Sequence, residues 1–114
     1  MLDNKIKEDL KNQEILPIIN TTELKNDISK LEFFLSNNSN IKYIEITLRQ
    51  ENSFEIANEL KNKFTNISFG LGSILSEQDY LKGKEAGFNF FVSPGIILDL
   101  VKNKVRNYIP GGET

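Results

Sequence analysis

The sequence contains neither cysteine nor histidine. Without cysteine the chain has no disulfide, no thiolate nucleophile and no cysteine-based metal site. Without histidine it lacks the commonest general base near neutral pH and the commonest metal ligand. Any acid–base chemistry must therefore fall to carboxylates or lysines, and we expect neither a metal nor a cofactor.

Charge of either sign is also not concentrated anywhere. The 14 Lys and Arg residues are scattered among 16 Asp and Glu residues, for a net charge of −2. A nucleic-acid partner is not expected, because phosphate-driven binding needs a concentrated cationic face. Long apolar runs are absent too: a membrane helix needs ~20 apolar residues, and residues 1–13 lack the apolar stretch of a secretory signal. We therefore expect a cytoplasmic protein with no membrane partner.

The composition, 39% apolar and 26% charged, is that of an ordinary globular domain. We expect residues 1–114 to form one domain or part of one. A complete (β/α)8 barrel takes ~250 residues, so a chain of 114 residues could hold only part of such a fold.

Apolar periodicity predicts helices alternating with strands. The predicted strands cover Ile15–Ile19, Ile41–Leu48, Ile67–Leu71, Phe88–Val92 and a last strand that begins at Tyr108. A helix over Met1–Gln13 precedes them. Alternation of this kind implies parallel strands joined by right-handed crossovers, hence an α/β fold. Periodicity alone leaves a barrel and an open doubly wound sheet equally open.

Helix-capping residues mark where the connecting helices begin and end. Asn20 with Glu23, Asn52 with Glu55, and Ser76 with Asp79 each have the spacing of a helix start. Gly87 is predicted to close the helix that Ser76 opens, as a left-handed cap. In the helix after the fourth strand, Ile97, Val101 and Val105 are expected to face inward.

The second strand carries polar residues where a core is expected. Side chains alternate along a strand, so Glu45, Thr47 and Arg49 share one face. A barrel strand points polar groups inward near its carboxyl end when it serves an active site, which favours the barrel. Burying Glu45 costs several kcal/mol unless Arg49 or another donor pairs with it, or unless it keeps its proton. The alternative is a solvated edge strand with one salt bridge.

Glycine, serine and proline follow the third and fourth strands. Gly70-Leu-Gly72-Ser73 is consistent with a close backbone approach to a ligand, with the Ser73 hydroxyl as donor. On its own it is better explained by small residues where barrel strands crowd. It is not a dinucleotide fingerprint, because position 75 is Leu75. Ser93-Pro94-Gly95 fits either a pocket wall or a simple turn.

Taken together, these elements resemble a known enzyme family. They are Pro17 in an apolar first strand, Glu45-Ile-Thr-Leu-Arg49, Gly70-Leu-Gly-Ser73, Glu85-Ala-Gly87, Phe91-Val-Ser-Pro-Gly95 and Ile109-Pro-Gly111. Their order and spacing resemble the N-terminal half of the 2-keto-3-deoxy-6-phosphogluconate (KDPG) and 4-hydroxy-2-oxoglutarate aldolases. The resemblance implies a partial TIM (β/α)8 barrel, with an N-terminal helix and about four and a half βα units.

The resemblance also implies an activity. These class I aldolases are trimeric, need no metal, and cleave the sugar acid to pyruvate and an aldehyde through a lysine Schiff base. By residue-to-residue matching, Glu45 would be the general acid and base, and Arg49 would hold the carboxylate of the keto acid. Thr47 would face the same ligand, Ser73 stands where the family usually has threonine, and Pro94 would line the pyruvate pocket.

One departure limits this expectation. The family's Schiff-base lysine lies on the sixth strand, and no residue of this chain corresponds to it. The lysines here lie mostly on helical stretches, and none sits mid-strand in apolar surroundings, where desolvation would make it nucleophilic. We therefore expect the chain alone to be inactive as an aldolase. Two alternatives stay open: a non-catalytic half-barrel that associates with itself or another half, or another small phosphate-binding βα-barrel enzyme.

Overall fold

A computed structural model describes residues 2–110, in which helices and strands alternate along the chain. In chain order the elements are α1 (Asn4–Gln13), β1 (Ile18–Asn20), α2 (Leu24–Asn37), β2 (Tyr43–Thr47), α3 (Ser53–Lys63), β3 (Ser68–Gly72), α4 (Glu77–Ala86), β4 (Phe90–Val92), α5 (Leu98–Lys102) and β5 (Tyr108–Ile109). Gly111, the last residue of the family-like motifs, lies outside the described residues. Among residues 2–110 no helix has both the length and the apolar character to cross a bilayer.

The five strands form one sheet in the order β1-β2-β3-β4-β5, and every neighbouring pair is parallel. An open doubly wound sheet reverses its strand order at a switch point, whereas a βα-barrel adds strands in chain order. The observed order is that of a barrel. The predicted α/β fold with parallel strands is confirmed.

The two faces of the sheet bury different partners. Ile44, Ile46, Phe69 and Leu71 on the outer face are fully buried and pack under the helices, in the cluster that also holds Leu60 of α3. Parallel strands covered by helices are apolar on that face for this reason. The main hydrophobic core therefore lies between the sheet and α2, α3 and α4.

Helix α1 closes the amino-terminal end of the inner face. Its Ile6 packs with the inward side chains of Tyr43, Phe90 and Val92. Gln13, the last residue of α1, is buried, and its side chain makes two hydrogen bonds to the backbone of Tyr43. Its amide nitrogen donates to the carbonyl of Tyr43 at 2.9 Å, and its oxygen accepts from the amide of Tyr43 at 3.0 Å. The inner face is thus filled at the amino ends of the strands, and it stays open only at their carboxyl ends.

The capping predictions have mixed outcomes. Ser76 accepts from the amide of Asp79 at 3.2 Å, and Gly87 has φ of 97°, so the start and end of α4 are as predicted. The prediction that Asn20 caps the next helix was wrong, because Asn20 belongs to β1 and α2 begins at Leu24. Asn52 precedes α3 but makes no side-chain cap bond.

The prediction of which residues of α5 face inward was also partly wrong. Val101 is 45% exposed, and Leu100 is the buried residue of the helix. Ile97 and Val105 do pack against the core, as expected. The helix has barely more than one turn, Leu98–Lys102, so a stripe drawn over nine residues from 97 to 105 overestimates its length.

Candidate active site

An open cleft of about 470 Å³ lies at the carboxyl ends of the first four strands. All five residues singled out from the sequence line it: Glu45, Thr47, Arg49, Ser73 and Pro94. Ile18, Asn20, Val92 and Ser93 complete the lining. Parallel βα folds place their ligand sites at this end of the sheet. No lysine is among the lining residues in the described part of the chain.

Glu45 is the most deeply placed ionisable group of the cleft. Its side chain is 4% exposed, and its Oε1 has no hydrogen-bond partner among residues 2–110. Burial raises the pKa of this carboxyl above its ordinary value, because a charge there loses its hydration without a compensating donor. Of the two ways of burying Glu45 that the sequence left open, a retained proton fits better than an ion pair.

Arg49 does not pair with Glu45. The salt bridges in residues 2–110 join Lys5 to Asp9 and Arg106 to Asp3, and Arg49 is exposed at the mouth of the cleft. Its guanidinium is therefore positioned to meet an anion that enters from solvent. The expectation that the polar face of β2 is turned inward holds for Glu45 and Thr47, both 4% exposed, and not for Arg49.

The two glycines of β3 make room for neighbouring side chains. A Cβ at position 70 would come within 2.3 Å of the Phe90 ring, and one at position 72 within 1.9 Å of Glu45 Oε2. Both positions are therefore restricted to glycine by the protein's own inner face. Of the two interpretations drawn from the sequence, crowding between strands is confirmed.

Thr47 is held by β1. Its hydroxyl donates to Asn20 Oδ1 at 2.7 Å and lies 3.1 Å from the carbonyl oxygen of Ile19. The parallel register pairs Asn20 with Thr47, which brings the two side chains to the same side of the sheet. Sequence reasoning missed Asn20 as a cleft residue, although its spacing of two from Ile18 is the signal of a shared strand face.

A hydroxyl network fixes the loop that carries Arg49. The buried Ser53 hydroxyl accepts from the amide of Arg49 at 3.2 Å and from the amide of Gln50 at 3.0 Å, and lies 2.7 Å from the Thr21 hydroxyl. The Gln50 side chain in turn donates to the carbonyl of Thr22 at 3.1 Å. The loops after β1 and β2 are thereby tied together, and the backbone of Arg49 has a defined position.

Ser73 and Ser93 shape the β3 and β4 side of the cleft. Ser73 is half-buried and has φ of 60°, in the left-handed region that a residue with a Cβ seldom adopts. Ser93 is buried, and its hydroxyl contacts the Tyr108 hydroxyl and the Gly95 carbonyl. These contacts hold the turn that presents Pro94, which is exposed at the cleft wall.

Comparison with known proteins gives a consistent result. A sequence model of the aldolases described as KDPG and KHG aldolase matches residues 6–114. The KHG/KDPG aldolase of Escherichia coli K12 is 24% identical over 96 residues, which are 84% of this chain and 44% of that protein. The chain thus spans less than half the length of this curated relative.

Solved structures with the same fold show the same proportion. KDPG aldolase of Zymomonas mobilis ZM4, solved with 3-phosphoglycerate, superposes with a TM-score of 0.74 at 23% identity, over 92% of this chain and 50% of that one. KDPG aldolase of Legionella pneumophila, with pyruvate captured as a covalent carbinolamine, gives a TM-score of 0.71 at 24% identity, over 83% and 47%. The five strands and their helices therefore correspond to about half of a TIM barrel.

Proposed function

Because the chain belongs to the KDPG and KHG aldolase family, we propose that it supplies the acid–base half of a class I aldolase site. The substrate would be 2-keto-3-deoxy-6-phosphogluconate, cleaved to pyruvate and glyceraldehyde 3-phosphate in Entner–Doudoroff type sugar-acid catabolism. The observation that carries this proposal is Glu45, a buried carboxyl with a raised pKa that opens onto a cleft at the carboxyl end of a barrel sheet. A carboxyl in that state is suited to proton transfer near neutral pH.

Glu45 would act both as an acid and as a base on the same ligand. As an acid it gives its proton to the hydroxyl that leaves a carbinolamine as water, and as a base it takes the proton of the C4 hydroxyl while the C3–C4 bond breaks. The electrons of that bond are held in the enamine, and Glu45 then returns the proton it took from the C4 hydroxyl to C3. Both roles need a carboxyl that holds and releases a proton without a strong permanent partner, as the unpartnered Oε1 of Glu45 allows.

Arg49 and Ser73 would hold the carboxylate of the keto acid. A guanidinium binds a carboxylate through two parallel hydrogen bonds, and Arg49 is exposed at the cleft mouth and outside every salt bridge of the described residues. The Ser73 hydroxyl would add a donor just after the end of β3, and Pro94 would form an apolar wall. Thr47 would contribute by fixing Asn20 on β1.

The nucleophile would have to come from another polypeptide segment. No lysine lines the cleft in residues 2–110, so we propose that the chain alone forms no Schiff base. Incubation with pyruvate and borohydride should leave its mass unchanged. A lysine adduct trapped in this chain would refute the inactivity and would place the nucleophile outside the cleft described above.

Binding of the keto acid can be tested on the chain as it is. Titration of isotope-labelled protein with pyruvate should shift the amide signals of Glu45, Thr47, Arg49 and Ser73, and Arg49→Gln should weaken the binding about tenfold. Lys25→Gln removes one positive charge from the exposed side of α2 and is the matched control. Equal weakening by both variants would mean that only net charge matters, and the proposed carboxylate site would then be wrong.

A second candidate function, association with another half-barrel, is favoured by the edges of the sheet. β1 and β5 each pair on one side only among the described strands. Unpaired edges are templates for strand addition. The trimer that the family resemblance implies is an assembly of complete barrels, so each barrel would first have to be closed by further strands. Sedimentation of a purely monomeric, folded chain would count against this candidate.

A further inference from the structure

Asn20 lies at the carboxyl end of β1 and lines the cleft next to Glu45 and Thr47. The parallel register places it directly beside Thr47, and Thr47 beside Gly72. Asn20 is therefore on the opposite side of β2 from Ser73, which follows Gly72 on β3. A ligand bound over the carboxyl end of β2 would therefore lie within reach of both Asn20 and Ser73.

The hydrogen bond between Thr47 and Asn20 decides which of them can donate to a ligand. The Thr47 hydroxyl has one proton, and both of its acceptors, Asn20 Oδ1 and the Ile19 carbonyl, lie on β1. Thr47 therefore offers lone pairs to the cleft and no proton. The Asn20 carboxamide has its oxygen engaged, which leaves the two protons of Nδ2.

Nδ2 is available for this purpose. The only side-chain hydrogen bond of Asn20 within residues 2–110 is the one from Thr47, and the residue is exposed to the cleft. A carboxamide fixed through its oxygen is oriented before a ligand arrives, so little side-chain entropy remains to be lost on binding. Such a donor favours an oxygen acceptor of the kind that a keto acid carries on its carboxylate and its carbonyl.

We propose that Asn20 is a binding residue, whose Nδ2 donates a hydrogen bond to an oxygen of the keto acid held over Glu45. Thr47 is then a positioning residue that acts through Asn20 and does not donate to the ligand. This inference rests on the proposed function, since it needs the cleft to bind a keto acid. It assigns to β1 a contact with the ligand that complements Arg49, in the loop after β2, and Ser73, directly after β3.

Asn20→Asp separates the two roles that the carboxamide combines. Aspartate has nearly the same shape and keeps an oxygen for the Thr47 hydroxyl, but it replaces the donor with a second oxygen. The added charge would itself repel the carboxylate of pyruvate, so the deciding variant is Asn20→Leu, which is uncharged, has nearly the same shape and also lacks the donor. Thr47 keeps the Ile19 carbonyl as an acceptor in that variant, so Asn20→Leu would bind pyruvate as the wild type does if Asn20 only supported Thr47. The proposal predicts a five- to tenfold weakening in Asn20→Leu, of about the size expected for a lost hydrogen bond, and a greater one in Asn20→Asp.

The experiment is a pyruvate titration of the labelled chain followed by nuclear magnetic resonance. The control is Asn89→Asp, which makes the same chemical change at an exposed position just before β4, at the end of the sheet away from the cleft. Wild type and Asn89→Asp should bind alike, and Asn20→Leu and Asn20→Asp should bind weakly with an unchanged amide spectrum elsewhere. Wild-type affinity in Asn20→Leu would overturn this inference alone. Absence of binding by the wild type would overturn the proposed function, and this inference with it.

Discussion

Gly72 and Glu45 meet across the β2–β3 pair so closely that a Cβ on residue 72 would lie 1.9 Å from Glu45 Oε2. Ordinary contacts between nonbonded heavy atoms are ~3.5–4.0 Å, so no side chain fits at position 72 while Glu45 keeps its conformation. Glu45 can therefore keep its buried conformation only because residue 72 on the neighbouring strand has no side chain. This steric requirement is present in the protein without any ligand.

Gly72→Ala should destabilise the protein by about 1–3 kcal/mol, the range for overpacking a closely filled interior. It should also push the Glu45 carboxyl toward the cleft mouth, which restores part of its hydration and lowers its pKa. Denaturant unfolding measures the first effect, and the carboxyl chemical shift of Glu45 against pH measures the second.

Gly95→Ala is the matched control for this change, because a Cβ at position 95 has no heavy atom within 4 Å. Its stability should stay within about 0.5 kcal/mol of the wild type. Losing the flexibility of glycine restricts the unfolded chain and by itself stabilises the protein, so equal losses in both variants would mean that contact with Glu45 is not the cause.

The buried carboxyl also makes stability depend on pH. Burial raises the pKa of Glu45 above the ordinary value of 4.5, so the folded state binds the proton more tightly than the unfolded state. The free energy of unfolding therefore loses a contribution as pH rises from 4.5 through the raised pKa, and is level beyond it. Glu45→Gln has no such group and should not show this decline.

Urea unfolding of both proteins across pH 4 to 9 tests this prediction. The free energy of unfolding of the Gln variant should rise relative to that of the wild type as pH rises above 4.5, and this difference should level off once the pH has passed the raised pKa of Glu45. Asp3 and Asp9 have pKa values lowered by hydrogen bonds from Arg106 and Lys5, and they act at lower pH in both proteins, so they cancel in the difference. A difference that is independent of pH would show that Glu45 is not perturbed in the folded state.

The fold was largely predictable because its signals are local or periodic. Alternating apolar helices and strands gave the parallel α/β architecture, and Ser76 and Gly87 gave the ends of α4, since a cap bond joins residues three apart in sequence. Asn20 has the same local signal as Ser76, yet it pairs with Thr47 in the sheet. A contact with a strand 27 residues away overrides the cap, and local spacing carries no information about it.

The site was predictable as a set of residues but not as a set of contacts. Strand parity placed Glu45 and Thr47 on the inner face, and both are buried there. The same parity placed Arg49 with them, although β2 ends at Thr47 and the loop turns Arg49 outward. The restriction at Gly72 depends on a Glu45 rotamer, which no sequence pattern encodes.

Ser53→Ala should loosen the loop that carries Arg49. The Ser53 hydroxyl is the acceptor for the amides of Arg49 and Gln50, and it is fully buried. Its loss leaves the two amide protons without this acceptor, at a cost of about 1–3 kcal/mol. Hydrogen exchange at the amides of Arg49 and Gln50 should accelerate.

Ser29→Ala, on the exposed side of α2, is the control and should change neither the stability nor the exchange of these amides. Pyruvate affinity should fall in Ser53→Ala, because Arg49 must then be ordered on binding. Unchanged exchange at Arg49 and Gln50 in Ser53→Ala would mean that other contacts hold the loop.

Ser73 combines an unfavourable backbone with a position at the cleft, and the two can be separated by substitution. At φ of 60° a residue with a Cβ is strained, at a cost of ~1–2 kcal/mol. Ser73→Gly should relieve most of that strain and stabilise the protein by about 1 kcal/mol, while removing a donor and weakening pyruvate binding. Ser73→Ala keeps the strain and also removes the hydroxyl. The affinity for pyruvate should therefore fall equally in both variants, whereas the free energy of unfolding should rise in the glycine variant alone. If the glycine variant binds pyruvate as tightly as the wild type, Ser73 is not part of the carboxylate site.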